Sequence, residues 1–166
     1  NQNSHLLDVG FGMGTQDVYI LEKFSPKKID GLDVTWKHVE LARRRAERFK
    51  CGDRVEFHHG TATKIPFPDG YFSNVMSIEA PEHFDTRQMF FEESYRVLKP
   101  GGVIGIADYT LKREPRNFIE KAVLGAVVSL WKVPQDNVYS TETYRQRLAK
   151  VGYKNIDIQE VGALTI

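Results

Sequence analysis

Cysteine is almost absent from this chain of 166 residues. Cys51 stands alone, so no intrachain disulfide forms and a cluster of cysteine metal ligands is excluded. A reducing, cytoplasmic setting fits that usage. Long apolar runs are missing too: none approaches the roughly 18–20 residues that cross a bilayer. The opening Asn-Gln-Asn-Ser leads straight into an apolar run without a signal-peptide pattern, and it reads equally well as a fragment boundary. An excess of either charge is also lacking, with 23 Lys plus Arg against 22 Asp plus Glu. The net charge of +1 therefore makes neither nucleic acid nor an anionic surface the default partner. What is present is a globular composition, 41% hydrophobic and 27% charged, at a length that suits one domain over residues 1–166.

Short β-like runs alternate with longer helical periods and no repeat appears, which predicts βαβ units around a parallel sheet. Strands are expected at 5–10, 28–34, 55–59, 72–78 and 103–107, and an alternating one at 156–161. The wholly apolar fifth run is expected to be central in the sheet. Helices are expected at 15–24, at 35–49 with Thr35 as N-cap, at 85–98 and at 141–151. A further helix at 115–131 carries apolar residues in pairs, from Phe118 and Ile119 to Leu130 and Trp131. That stripe must cover something, and an acceptor pocket is one candidate, with ordinary core packing the alternative.

The segment Leu6-Leu7-Asp8-Val9-Gly10-Phe11-Gly12-Met13-Gly14-Thr15 places three glycines at a strand-to-helix turn, where a missing Cβ lets backbone amides approach a ligand. A dinucleotide turn spaces its glycines G-x-G-x-x-G; here Gly14 comes one residue early and Asp8 stands inside the strand. S-adenosylmethionine carries no phosphate, so its site needs close backbone approach plus a carboxylate near the ammonium, which Asp8 can supply. Asp33, at the carboxyl end of the second strand, lies where an acid accepts both ribose hydroxyls. The bland alternative is a tight turn with Asp33 capping the next helix.

Together with Ile65-Pro66-Phe67-Pro68-Asp69-Gly70-Tyr71-Phe72 and Arg96-Val97-Leu98-Lys99-Pro100-Gly101-Gly102, these residues resemble the class I S-adenosylmethionine-dependent methyltransferases. The resemblance spans residues 5–162. It implies an α/β fold, a three-layer αβα, Rossmann-like, doubly wound and mostly parallel sheet, with S-adenosyl-L-methionine across the strand ends. It places the cofactor against Asp8, Gly10, Gly12, Gly14, Asp33, Val34, Thr61, Ala62 and Glu79. At Gly60-Thr61-Ala62 the family's usual adenine-binding acid is missing, which implies weaker adenine recognition. The family's helix before the first strand and its last antiparallel strand are not seen, so the expectation is a partial domain.

Past the fourth and fifth strands stand Glu79-Ala80-Pro81-Glu82-His83-Phe84 and Asp108-Tyr109, at the crevice where open α/β sheets bind ligands. His83 can take a hydroxyl proton near neutral pH, with Asp108 orienting the imidazole or holding a second hydroxyl. The pattern is similar to natural-product O-methyltransferases acting on sugars of macrolides, although Glu82 occupies the first place of a His doublet common there. Tyr109, Tyr139 and Tyr144 are candidates to line a partly apolar acceptor pocket. His58 and His59 alternate on a strand, point to opposite faces and do not share a metal, so no metal site is expected. The Arg43-Arg44-Arg45 run reads as a solvated helix face, which leaves no nucleic-acid role. Methylation of carbon or nitrogen, a non-catalytic cofactor-binding module and a nicotinamide oxidoreductase are the competing readings.

Overall fold

A computed structural model describes residues 3–162. Five strands, β1 (His5–Val9), β2 (Lys28–Asp33), β3 (Val55–His59), β4 (Phe72–Ile78) and β5 (Leu98–Ala107), form one sheet in the order β3-β2-β1-β4-β5. Every pairing is parallel. The strand order reverses between β1 and β4, and a crevice opens beyond the strand tips at such a reversal.

Helices α1 (Thr15–Phe24) and α2 (Trp36–Arg48) follow β1 and β2. Their apolar residues Val18, Leu21, Val39, Ala42 and Ala46 bury one face of the sheet with Leu6, Ile29, Val55 and Phe57. The other face, led by Leu7, Val9, Leu32, Phe72 and Val75, packs under α3 (Arg87–Val97) and α5 (Thr141–Val151) through Phe90, Phe91, Val97, Tyr144 and Leu148. Alternating side chains along each strand feed these two cores, so the three-layer αβα expectation holds.

Three expectations fail. The apolar strand β5 forms an edge of the described sheet, and Val103 is 60% exposed. Only one side of it is used: Ile104 and Ile106 pack on the core while the alternate side chains face outward. β5 also begins earlier than expected, because a register shift between Phe72 and Asn74 absorbs Lys99-Pro100-Gly101. No strand forms at 156–161. Ile156 and Ile158 pack against the core as the alternation requires, but no described strand lies beside them to complete a ladder. The third failure is the stripe of α4 (Phe118–Leu130), which the described residues leave mostly uncovered: Val128 is buried and Trp131 meets the Tyr109 ring, while Phe118, Ile119 and Leu130 are exposed.

Candidate active site

At the β1 tip the turn is built from left-handed glycines at positions 10, 12 and 14. They do different work. A Cβ on Gly10 would sit 2.5 Å from the Ala80 Cβ, so Gly10 lets the β1 turn close against the β4 tip. A Cβ on Gly12 would meet nothing within 4 Å, which leaves the Gly12 backbone facing open space. Beside it, Asp33 reaches over from the β2 tip: Oδ2 accepts the Gly12 amide at 2.9 Å and Oδ1 accepts the Thr35 amide at 2.8 Å. Asp33, rather than the Thr35 hydroxyl, thus caps the entrance of α2. His38 Nδ1 also lies 3.3 Å from Oδ1, so of the carboxylate's about four acceptor sites one is left while His38 stays, and two for the hydroxyls of a ribose once it turns away.

The β3 exit joins the same edge through the Gly60 amide, which donates to the Asp33 carbonyl at 3.0 Å. Val34 is exposed there and Ala62 buried. The Thr61 hydroxyl is hydrogen-bonded to that of Thr63 at 2.9 Å. Glu79 is exposed, adopts φ 50°, and donates its amide to the Ala107 carbonyl, linking the β4 and β5 tips. An open glycine backbone, a neighbouring carboxylate and an exposed apolar side chain suit a nucleoside with an amino-acid tail.

Asp8 lies deeper. It is fully buried, as is Asp17 in the first turn of α1, and the Gln16 amide donates to Asp8 Oδ2 at 2.6 Å. Burial, with the Asp17 charge adding to it, pushes the Asp8 carboxyl well above the usual range; burial lifts Asp17 to about 6. The pair therefore retains a proton near neutral pH. Asp17 was not legible as part of the site, since an acid in a first helical turn reads as a helix-dipole partner.

Past the β4 tip, Glu82 and His83 sit in a single turn, Pro81–His83. His83 is exposed, with Nε2 3.9 Å from Glu82 Oε1. The Asp108 side chain, four per cent exposed, turns instead to Arg87: Nη2 donates to Oδ1 at 3.0 Å and Nε lies 2.9 Å from Oδ2. The Tyr109 amide and the Tyr144 hydroxyl complete its partners. Burial raises the Asp108 carboxyl to about 7, helped by neighbouring Glu82 and opposed by Arg87 and Tyr144. So the carboxylate brought beside His83 is Glu82, while Asp108 belongs to an inner network. Asn137 extends that network, accepting the Arg87 amide at 2.8 Å and donating to the Glu82 and Phe84 carbonyls. Tyr139 and Tyr144 are buried; Tyr109 is exposed and meets Trp131.

Away from this crevice, His58 and His59 do point apart, His58 to Asp30 at 2.7 Å and His59 to the Val34 carbonyl at 2.9 Å. Asp30, Glu56 and His58 hold potential ligand atoms within 4.8 Å of one another. The Lys28 ammonium already bridges the two carboxylates, at 3.3 and 2.8 Å.

A family model described as a methyltransferase domain matches residues 6–102. The chain is 36% identical over 165 residues to erythromycin 3''-O-methyltransferase of Saccharopolyspora erythraea, covering 97% of this chain and 54% of that protein. It is 28% identical over 160 residues to 27-O-demethylrifamycin SV methyltransferase of Amycolatopsis mediterranei, covering 96% and 57%. The chain thus spans little more than half the length of these relatives. Among solved structures, phosphoethanolamine N-methyltransferase 2 from Haemonchus contortus, in complex with S-adenosyl-L-methionine, superposes with a TM-score of 0.81 at 23% identity, covering 96% of this chain and 35% of that one. At that identity the likeness is one of fold.

Proposed function

The chain belongs to the methyltransferase-domain family, and from that premise we propose that it transfers a methyl group from S-adenosylmethionine to a hydroxyl of a small, partly apolar acceptor. One observation carries the reading: Asp33 and the open Gly12 backbone meet at 2.9 Å on neighbouring strand tips. In this reading Gly12 lies along the amino-acid tail, Asp33 takes the ribose hydroxyls, and Val34, Thr61 and Ala62 flank the base. Gly10 and Gly14 shape the turn, Asp8 supports it from beneath, and Glu79 fixes the loop at the β4 tip.

S-adenosylmethionine supplies, when bound, a methyl carbon on a sulfonium that leaves its bonding pair on sulfur. His83 takes the proton from the acceptor hydroxyl, and the Glu82 carboxylate stabilises the imidazolium. Asp108 is a positioning residue, held by Arg87 and Tyr144, that fixes the floor beneath His83 and Glu82. The curated relatives named as erythromycin 3''-O-methyltransferase and 27-O-demethylrifamycin SV methyltransferase support a hydroxyl on a small-molecule acceptor. Arg43 is spent on the Phe57 carbonyl and Arg44 on Glu40, which argues against nucleic acid. The free, buried Cys51 suits a reducing, cytoplasmic setting.

A mass-spectrometric screen of glycosylated and isoprenoid pools, with and without S-adenosylmethionine, tests the reading. Cofactor-dependent gain of a methylene mass on a hydroxyl is expected. Cofactor binding with no product in any pool would contradict it and favour a binding module. Products carrying the methyl on carbon or nitrogen would redirect it to another acceptor class.

A further inference from the structure

Methyl transfer leaves α4 unexplained. On this helix of 13 residues the exposed stripe runs through Phe118, Ile119, Val123 and Leu130, at 83, 72, 48 and 78% exposure. At about 100° per residue these positions share one side, and the buried Val128 lies on the other. The helix therefore sits with its apolar side to the surroundings. Single exposed apolar residues are ordinary, but a contiguous helical stripe marks a contact surface.

The rim of the stripe identifies the contact. Residues 109–132 carry five basic residues, Lys112, Arg113, Arg116, Lys121 and Lys132, against Glu114 and Glu120. Both acids are engaged: Glu120 pairs with Arg113 at 2.7 Å, and Glu114 accepts the Ser140 amide at 2.9 Å. Within a chain of net charge +1, the segment 109–132 thus carries a surplus of three positive charges next in sequence to an exposed apolar helix face. Tyr109 and Trp131, each about half exposed and in ring contact, close the stripe at its end with the amphipathic aromatics that settle at a headgroup boundary. No helix among the described residues is long and apolar enough to cross a membrane, so α4 can lie only in the plane of one. A twofold pairing of two copies through the same stripe would bring two basic rims together, which is unfavourable.

We propose that α4 docks on an anionic lipid surface, with its apolar stripe in the acyl boundary and its lysines at the headgroups. This docking does not depend on the methyl-transfer reading. It would bring the exposed Tyr109, just past the β5 tip, to the surface.

Flotation of the full chain with phosphatidylcholine vesicles, with and without about one-third phosphatidylglycerol, tests the proposal. Retention on the anionic vesicles, at least about tenfold above that on neutral ones and weakened by salt, is expected. Phe118→Ser with Leu130→Ser should abolish retention, and Lys121→Glu with Lys132→Glu should lower it about tenfold or more, with unchanged circular dichroism. In a Trp36→Phe background, Trp131 emission should shift to the blue only with anionic vesicles. Absence of retention and of the shift would overturn the proposal. So would a concentration-dependent dimer that disappears with Phe118→Ser and Leu130→Ser while neither vesicle binds.

Discussion

The proposed cofactor half and the proposed acceptor half of the crevice are built in different ways. At the tips of β1, β2 and β3 the site comes from short sequence distances: the Gly12–Asp33 bond spans 21 residues and crosses one strand neighbour. At the tips of β4 and β5 it comes from long ones. Arg87 reaches Asn137 across 50 residues, Asn137 reaches Glu82 across 55, and Tyr144 reaches Asp108 across 36. The first half needs one βαβ unit to be correct. The second needs α3, the Gln135–Asn137 turn and α5 docked at once, so its geometry depends on the whole fold.

Chemistry at His83 gives the sharpest break between the halves. His83→Ala should cut turnover by about 10²–10⁴-fold while calorimetric affinity for S-adenosylhomocysteine stays unchanged. A fall in affinity alone would move His83 into the cofactor half.

Removing Arg87 comes next. Arg87→Met leaves Asp108 buried without its cation and should cost about 3–5 kcal/mol of stability in urea unfolding at pH 8. The loss should shrink at pH 5, because Asp108, lifted to about 7, is then neutral. An equal loss at both values would deny Asp108 its charge-dependent place.

The smallest effect separates stability from binding in the cofactor half. Asp17 is raised to about 6 when folded, so its folded state holds more protons than the unfolded chain between about pH 4 and 6. Its contribution is complete below about pH 4 and lost as pH rises through about 6. Asp17→Asn should therefore stabilise the chain by about 1–3 kcal/mol at pH 8 and by little at pH 4. No gain at pH 8 would show that Asp17 has a cation partner there.

How much was legible follows the same division. Asp33, Gly12 and the strands around them could be read because turn chemistry and alternation act over a few residues. Glu82 was visible beside His83, but its closeness to Asp108 depends on the docked helices. Arg87 at the start of α3 and Asn137 in a short turn carry no local signal, since nothing in their neighbours announces burial. β5 was misread as central because apolar content records what a strand can bury and not what lies beside it. The 156–161 segment shows the same limit: alternation chose its buried side chains, and a ladder needed a neighbour that composition does not supply.

Titration calorimetry of S-adenosylhomocysteine and NADH into the wild-type chain and Asp33→Ala is the most direct test of the central claim. The account predicts that S-adenosylhomocysteine binds, that NADH does not, and that Asp33→Ala weakens binding by about 1–3 kcal/mol through loss of a charged acceptor. Equal affinity in wild type and variant, or a preference for NADH, would contradict it.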